Sequence, residues 1–265
     1  MYSSFQLAKK YIHYYLTASN GKGHGVHSPF VFYFISKILN DKKQYECYTA
    51  MERQRQQLLE NTGIIAVEDF GAGSAVMKSN KRVIKNIARS SLKPKKFARL
   101  LFRIVQCYQP ANILELGTSL GITSSYLAKG NERGKVFTCE GSSAIAAIAE
   151  KNFEQLQIKN IRLTQGNFAI TLQPLLNKIG KVDLAFIDGN HRKEPTLEYF
   201  STLLNHSTSS TILIFDDIHW SEEMEAAWKE IQQHTSVTLT IDLFFIGLVF
   251  INPDFKVKQH FIIRF

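Results

Sequence analysis

The sequence is poor in cysteine and has no long hydrophobic run. Its 265 residues include only three cysteines, Cys47, Cys107 and Cys139, whose spacing fits neither a metal motif nor a framework of paired bridges. No apolar segment reaches the roughly 20 residues that a membrane-spanning helix needs, and the N-terminal residues lack the order of a signal peptide. These absences disfavour a disulfide-stabilised secreted domain. We therefore expect a protein of the reducing cytoplasm with no membrane partner.

The composition is that of a folded protein with an excess of positive charge. Hydrophobic residues make up 45% and charged residues 21%, so the chain can bury a core. The formal net charge is +9, and residues 78–99 contain no acidic residue. Such an excess suits RNA, an anionic surface or acidic small molecules. Because no known nucleic-acid module is present, RNA is the less favoured partner.

The order of patterns predicts an α/β fold with a helical N-terminal extension. Residues 1–94 contain helical segments and a glycine-rich loop, and they are expected to form an extension or lid. From residue 95 to 265, short apolar runs alternate with helical segments, which is typical of a Rossmann-like, doubly wound and mostly parallel sheet. Seven strands are expected, the last two as an antiparallel hairpin at one edge. The seven runs are ANILELG, KVFTCEG, IRLTQGN, VDLAFIDG, STILIFDD, VTLTIDLFF and GLVFINP.

Two glycine-rich stretches compete for the role of ligand-binding loop. In a doubly wound sheet, the loop after the first strand approaches the ligand, and an acidic residue about 20 positions later binds ribose hydroxyls. The stretch ILELGTSLG (113–121) meets this requirement, because it follows an apolar strand and Glu140 ends the next one. The stretch VEDFGAGS (67–74) has no such second strand. It remains open whether VEDFGAGS folds over the active site or is an ordinary turn.

Several motifs in one order carry a family resemblance. The motifs ILELGTSLGITSSYLA, VFTCEGS, LTQGNF, VDLAFIDGNHRKEPTLEYF and LIFDDIHW together resemble class I S-adenosylmethionine-dependent methyltransferases. Within that group they most resemble the metal-dependent O-methyltransferases of the catechol and caffeoyl-CoA type. The resemblance covers roughly residues 95–252.

The resemblance implies a binding site for S-adenosylmethionine. The glycine turn would pass beneath the methionine part of the cofactor, Glu140 would bind the ribose, and Asp188 would face the sulfonium end. The implied cofactor-binding residues are Glu115, Gly117, Ser119, Gly121, Thr123, Glu140, Gly166, Asn167, Phe168 and Asp188.

The resemblance also implies a Mg²⁺ site at two neighbouring strand ends. Its ligands would be Asp188, Asp216 and Asp217, although relatives commonly have asparagine at the last position. Three carboxylates form the hard oxygen site that Mg²⁺ prefers. His191 stands where catechol-type relatives have a lysine, and it could act as a base. Two plainer interpretations stay open: Asp216 and Asp217 could be a polar strand end, and His191 could only bond a loop.

The expected activity is O-methylation of a hydroxylated small molecule, with Asp188 and His191 in catalytic roles. Two alternatives remain open: methylation of a hydroxylated nucleoside in tRNA, and cofactor binding without catalysis. His219 and Trp220 are candidates for the wall of the acceptor pocket, and His24 and His27 for a lid. The acceptor atom and a homodimer are left undecided, because fold does not determine either.

Overall fold

The structure is a computed structural model that describes residues 1–68 and 80–265. Most of the VEDFGAGS stretch, from residue 69 onward, lies outside the described residues, so both of its predicted roles remain predictions. The chain divides into two compact units. The central unit is Lys42–Gly180, and the split unit combines Met1–Asp41 with Lys181–Phe265. The predicted division into residues 1–94 and 95–265 also remains a prediction.

The central unit consists of helices around three parallel strands. Strand β3 pairs in parallel with β4, and β4 pairs in parallel with β5. Helices α6 and α7 make the two connections, as parallel strands require. In order, its elements are α3 Cys47–Glu60, β1 Ile64–Ala66, β2 Lys81–Val83, α4 Ile84–Ser91, α5 Lys95–Tyr108, β3 Asn112–Leu116, α6 Ile122–Gly130, β4 Lys135–Glu140, α7 Ser143–Gln155, β5 Ile161–Gln165 and α8 Phe168–Ile179.

The split unit joins the N-terminal helices to the second half of the sheet. Its strand order is β10-β8-β9-β7-β6, and β9 runs antiparallel to both of its neighbours. In order, its elements are α1 Ser4–Thr17, α2 Pro29–Phe34 with a π-helical turn at Ile35–Leu39, β6 Leu184–Ile187, α9 Lys193–Asn205, β7 Ile212–Asp216, α10 Glu222–Gln233, β8 Leu239–Asp242, β9 Ile246–Phe250 and β10 Gln259–Ile262.

The predicted fold class is confirmed, with one difference in the sheet. Eight strands form one mostly parallel sheet, and β1 and β2 form a separate hairpin. Strands β8 and β9 form the predicted antiparallel hairpin, but it is not at the edge, because β10 pairs in parallel with β8. Strand β10 alternates between partly buried and exposed residues. It therefore lacks the continuous apolar run by which the other strands were found.

The first helix is attached to the end of the described chain. Tyr14 and Ala18 of α1 pack with Phe244 in a buried cluster. The Tyr14 hydroxyl donates a hydrogen bond to the backbone oxygen of Ile263, and the backbone of Ser19 exchanges two further bonds with residues 262 and 264. Among the described residues, no helix is both long and apolar enough to cross a bilayer.

Candidate active site

The glycine turn after β3 is held against the end of β4. The backbone N–H groups of Gly117 and Thr118 both donate to the carbonyl oxygen of Cys139, at 3.0 and 3.1 Å. Gly117, Ser119 and Gly121 have positive φ angles of 102°, 48° and 79°. A side chain at such positions is strained, which explains the two glycines. The turn leads into α6, where the predicted residue Thr123 is buried at the second position.

Glu140 ends β4 with its carboxylate held in place by backbone donors. Ser119 donates its N–H to one carboxylate oxygen at 2.9 Å, and Ser142 donates to the other at 3.0 Å. Burial raises the pKa of Glu140 above its ordinary value, while backbone hydrogen bonds from Ser142, Ser119 and Gly141 act in the opposite direction. A carboxylate has about four acceptor positions, so Glu140 keeps capacity for hydroxyl donors.

Glu115 lies inside the protein beneath the turn. Its side chain is fully buried and accepts hydrogen bonds from the hydroxyls of Ser124 and Thr138, the latter at 2.6 Å. Burial raises the pKa of Glu115 to about 7, against the lowering effect of the two hydroxyls and with a further increase from Glu140. These bonds connect β3 to α6 and β4. Glu115 thus lies beneath the turn, and its predicted part in cofactor binding remains a prediction.

The predicted cofactor residues Gly166, Asn167 and Phe168 directly follow β5. Gly166 has a φ of 134°, and its N–H donates to the backbone oxygen of Glu140 at 2.9 Å. Asn167 caps α8, since its side-chain oxygen accepts from the N–H of Ala169 at 3.0 Å. Phe168 is partly exposed at the first position of that helix. The structure thus brings the ends of β4 and β5 together through one backbone bond.

A second group of predicted residues lies at the ends of β6 and β7 in the split unit. Asp188, His191 and Asp216 each offer one ligand atom, and these atoms all lie within 4.8 Å of one another. We call these three residues the acid–histidine cluster. The Nε2 atom of His191 is 3.6 Å from Oδ1 of Asp188 and 4.0 Å from Oδ2 of Asp217. Asp216 is buried, whereas the other three side chains are partly exposed.

Asp217 is positioned by the turn between β8 and β9. It has a φ of 53°, and its N–H donates to the backbone oxygen of Phe245 at 2.6 Å. The left-handed backbone disfavours most side chains but is tolerated by aspartate and asparagine. This backbone geometry explains why an aspartate is tolerated directly after Asp216.

The residues after Asp217 make contacts that the sequence did not indicate. The ring of His219 stacks on Phe244, with Nε2 at 2.8 Å from Asp242 and Nδ1 at 3.1 Å from Glu225. The backbone N–H of Trp220 donates to the carbonyl oxygen of Asp217 at 2.9 Å. His24 and His27 are exposed in the loop before α2, and neither belongs to the acid–histidine cluster. Their predicted lid role remains a prediction.

The comparison with protein families concerns the central part of the chain. Residues 114–218, which are less than half of the sequence, match a family described as a methyltransferase domain. The match includes every predicted cofactor and metal residue, from Glu115 to Asp217. The resemblance to S-adenosylmethionine-dependent O-methyltransferases is confirmed by relatives in sequence and in structure.

One curated relative shares part of the methyltransferase sequence. A catechol O-methyltransferase from Niastella koreensis is 32% identical over 126 residues, which are 46% of this chain and 55% of the relative. The chain therefore matches about half the length of this curated protein.

Solved methyltransferases share the fold. An O-methyltransferase from Bacillus cereus, solved with S-adenosylhomocysteine, has a TM-score of 0.58 at 22% identity, over 83% of this chain and 97% of its own. TomG from Streptomyces achromogenes, solved with S-adenosylmethionine, has a TM-score of 0.55 at 16% identity, over 79% and 91% of the two chains. The methyltransferase PaMTH1 from Podospora anserina has a TM-score of 0.59 at 12% identity, over 95% and 98%.

Two residues that support the glycine turn of the methyltransferase domain were not found from the sequence. The side chain of Asn152 in α7 donates to the backbone oxygen of Leu120 at 2.8 Å. The ring of its neighbour Phe153 lies against Gly121. Both contacts depend on how α7 packs, and no local pattern in the sequence signals them.

Proposed function

We propose that the protein is an S-adenosylmethionine-dependent O-methyltransferase that methylates a hydroxyl group of a small molecule with the help of a divalent cation. The observation that carries the proposal is the acid–histidine cluster, which lies at two strand ends inside a methyltransferase domain. Ligands of doubly wound folds bind beyond the carboxyl ends of the strands, where these residues are.

The central unit supplies residues that fit S-adenosylmethionine. The Glu140 carboxylate, held by two backbone donors, would accept the ribose hydroxyls in charge-assisted bonds. The backbone of Gly117 and Gly121 would lie next to the methionine part, with Ser119 and Thr123 close to its carboxylate. Gly166, Asn167 and Phe168 would line the adenine pocket. Glu115, which is buried beneath the turn, would support these residues without touching the cofactor.

The donor atoms of the acid–histidine cluster fit a divalent cation. Two carboxylates and one imidazole would be the ligands, from Asp188, Asp216 and His191. This set differs from the all-carboxylate set expected from the sequence, in which Asp217 was the third ligand and Mg²⁺ the ion. Imidazole is a better ligand for Mn²⁺ or Fe²⁺ than for Mg²⁺. A bound divalent cation would lower the pKa of the acceptor hydroxyl and hold it in place.

The other two requirements of the proposed reaction are alignment of the acceptor and removal of its proton, and His191 could serve the second. Methyl transfer from a sulfonium is a direct displacement, so alignment of the acceptor supplies much of the acceleration. His191 lies between the carboxylates of Asp188 and Asp217, where an imidazole can receive the acceptor's proton when it is not a ligand. Both roles require a neutral imidazole before the proton is transferred, so metal affinity, and not the pH profile, separates them.

Transfer of a labelled methyl group tests the function. The purified protein is incubated with methyl-labelled S-adenosylmethionine and a set of catechols, phenols and aliphatic alcohols, each with Mg²⁺, Mn²⁺ or EDTA. We expect labelled methyl ether from at least one vicinal diol, and at least about a hundredfold less product with Asp216→Asn. The exposed Asp254→Asn is the matched control and should keep full activity. Equal activity of the two variants would refute the metal role.

Two further arms separate the alternatives. Bulk tRNA replaces the small acceptors in one arm, and label in RNA alone would favour the nucleoside substrate. In the other arm, S-adenosylhomocysteine is titrated into the protein by calorimetry. Binding without turnover on any acceptor would favour a non-catalytic module, and no binding would refute the methyltransferase proposal.

A further inference from the structure

A cavity of about 510 Å³ opens in the split unit along one side of α1. Its volume falls within the range of small-molecule sites. One wall is formed by α1, and the other by residues from 219 to 262. No residue of the acid–histidine cluster lines the cavity. It is therefore a separate feature from the proposed methyl-transfer site.

One side of the cavity is formed by the imidazole of His219, whose side chain is 23% exposed and rests on buried aromatic rings. Phe244 is 2% exposed and stacks with the His219 ring at a centroid distance of 5.1 Å and an interplanar angle of 26°. Tyr14 lies beside it, at a centroid distance of 5.2 Å from Phe244. Flat aromatic surfaces of this kind favour a stacked aromatic ring.

The two acidic residues of the cavity are already paired. Glu225 accepts from the Tyr2 hydroxyl at 2.7 Å, from the Lys10 ammonium at 2.9 Å and from His219 at 3.1 Å. Asp242 accepts from His219 and from the backbone N–H of Phe244, each at 2.8 Å. Both carboxylates therefore already have donors within the cavity wall.

Two basic side chains of the cavity have no such partners. Lys9 and His13 line it, and neither side chain has a hydrogen bond or ion pair with any residue in 1–68 or 80–265. They are four positions apart on α1, so they lie on adjacent turns of one helix face. Two donors at this spacing can hold the same anionic group.

We propose that this cavity binds a flat organic anion, namely an aromatic ring that carries a carboxylate or a similar acid. The ring packs on the partly exposed imidazole of His219, which stacks on the buried Phe244, and the acid bonds to Lys9 and His13. The proposal does not depend on the methyltransferase activity, because it uses neither the cofactor nor the acid–histidine cluster.

Calorimetric titration with two matched probes tests the site. Naphthalene-2-carboxylate carries the ring and the charge, and naphthalene-2-carboxamide carries the ring alone. We expect the carboxylate to bind about tenfold more tightly, as one charge-assisted contact provides. Lys9→Gln together with His13→Gln should make the two affinities equal. Lys37→Gln, which changes an exposed lysine outside the cavity, should leave the tenfold difference unchanged.

A second pair of variants locates the probe. Thr17→Trp places a bulky ring at the exposed end of the α1 wall and should abolish binding of both probes. Phe5→Ser removes an apolar side chain that is 80% exposed on α1 outside the cavity, and binding should persist. Absence of carboxylate binding, equal wild-type affinities for both probes, or loss of binding in Phe5→Ser but not in Thr17→Trp would overturn the proposal.

Discussion

Gly121 lies directly against the ring of Phe153, with no room for a side chain. A Cβ atom on Gly121 would be 2.6 Å from Cε1 of that ring and 3.2 Å from the Cβ of Ala149. The φ angle of Gly121 is also in the left-handed region, at 79°. Two independent effects, strain and collision, thus require glycine where the turn enters α6.

The first prediction separates those two effects. Gly25 has nearly the same φ, 77°, but a Cβ there would meet nothing within 4 Å. Gly25→Ala should lower the free energy of unfolding by about 1 kcal/mol, the cost of a positive φ alone. Gly121→Ala adds a buried collision and should cost roughly 2–4 kcal/mol. Urea denaturation measures both values, and equal losses would contradict the collision.

The second prediction concerns the pH dependence of stability. Because burial raises the folded pKa of Glu115 from its ordinary value of 4.5 to about 7, the folded state binds the proton more tightly than the unfolded state. Its contribution to stability is therefore complete below about pH 4.5 and is lost as the pH rises towards 7. The loss amounts to roughly 3 kcal/mol.

Glu115→Gln should remove this dependence, since glutamine can keep the hydrogen bonds of the protonated acid. Denaturation at pH 5 and pH 8 should show a flatter profile and greater stability at pH 8 than the wild type. Glu154→Gln, which changes an exposed glutamate of α7, should retain the wild-type slope. A Glu115→Gln profile parallel to the wild type would rule out Glu115 as the titrating group.

The third prediction tests the support that α7 provides to the glycine turn. Asn152 is 3% exposed; it donates to the backbone of Leu120 and accepts from Gln54 at 2.6 Å. Asn152→Ala should lower the free energy of unfolding by about 1–3 kcal/mol, because it leaves buried polar partners unsatisfied. The affinity for S-adenosylhomocysteine should fall as well. Asn177→Ala, at an exposed position of α8, should change neither.

The fourth prediction concerns metal affinity. In calorimetric titrations of the metal-free protein with Mn²⁺, Asp216→Asn and His191→Gln should each weaken binding at least about tenfold, because each removes one proposed ligand. His24→Gln removes an exposed imidazole elsewhere and should bind as the wild type does. Loss in Asp216→Asn with unchanged affinity in His191→Gln would assign His191 to proton transfer instead of ligation.

The fold and most of the site could be predicted because they depend on local patterns. Buried parallel strands such as β3, β6 and β7 are largely apolar runs, and Glu115, Asp188 and Asp216 lie at or near their carboxyl ends. Strand β10 was missed because its side chains alternate in exposure. For the same reason, the hairpin was placed at the edge.

The rest of the site depends on contacts between distant segments. His191 was predicted as a base, but its approach to both Asp188 and Asp216 depends on how the loop after β6 folds. The pairing of His219 with Glu225 and Asp242 joins the loop after β7 to α10 and to the end of β8. No spacing along the chain encodes these distances, so they follow from tertiary packing alone.

The bonds between α1 and residues 262–264 have a consequence for the order in which the protein is made. Tyr14 and Ile263 are separated by 249 positions. At typical rates of translation, α1 leaves the ribosome on the order of tens of seconds before its partners do. During that interval the side chains of Tyr14 and Ala18 have no cluster to enter. Docking of α1 is therefore a late event in synthesis, and the newly made chain exposes this apolar face until residues 244–263 have been made.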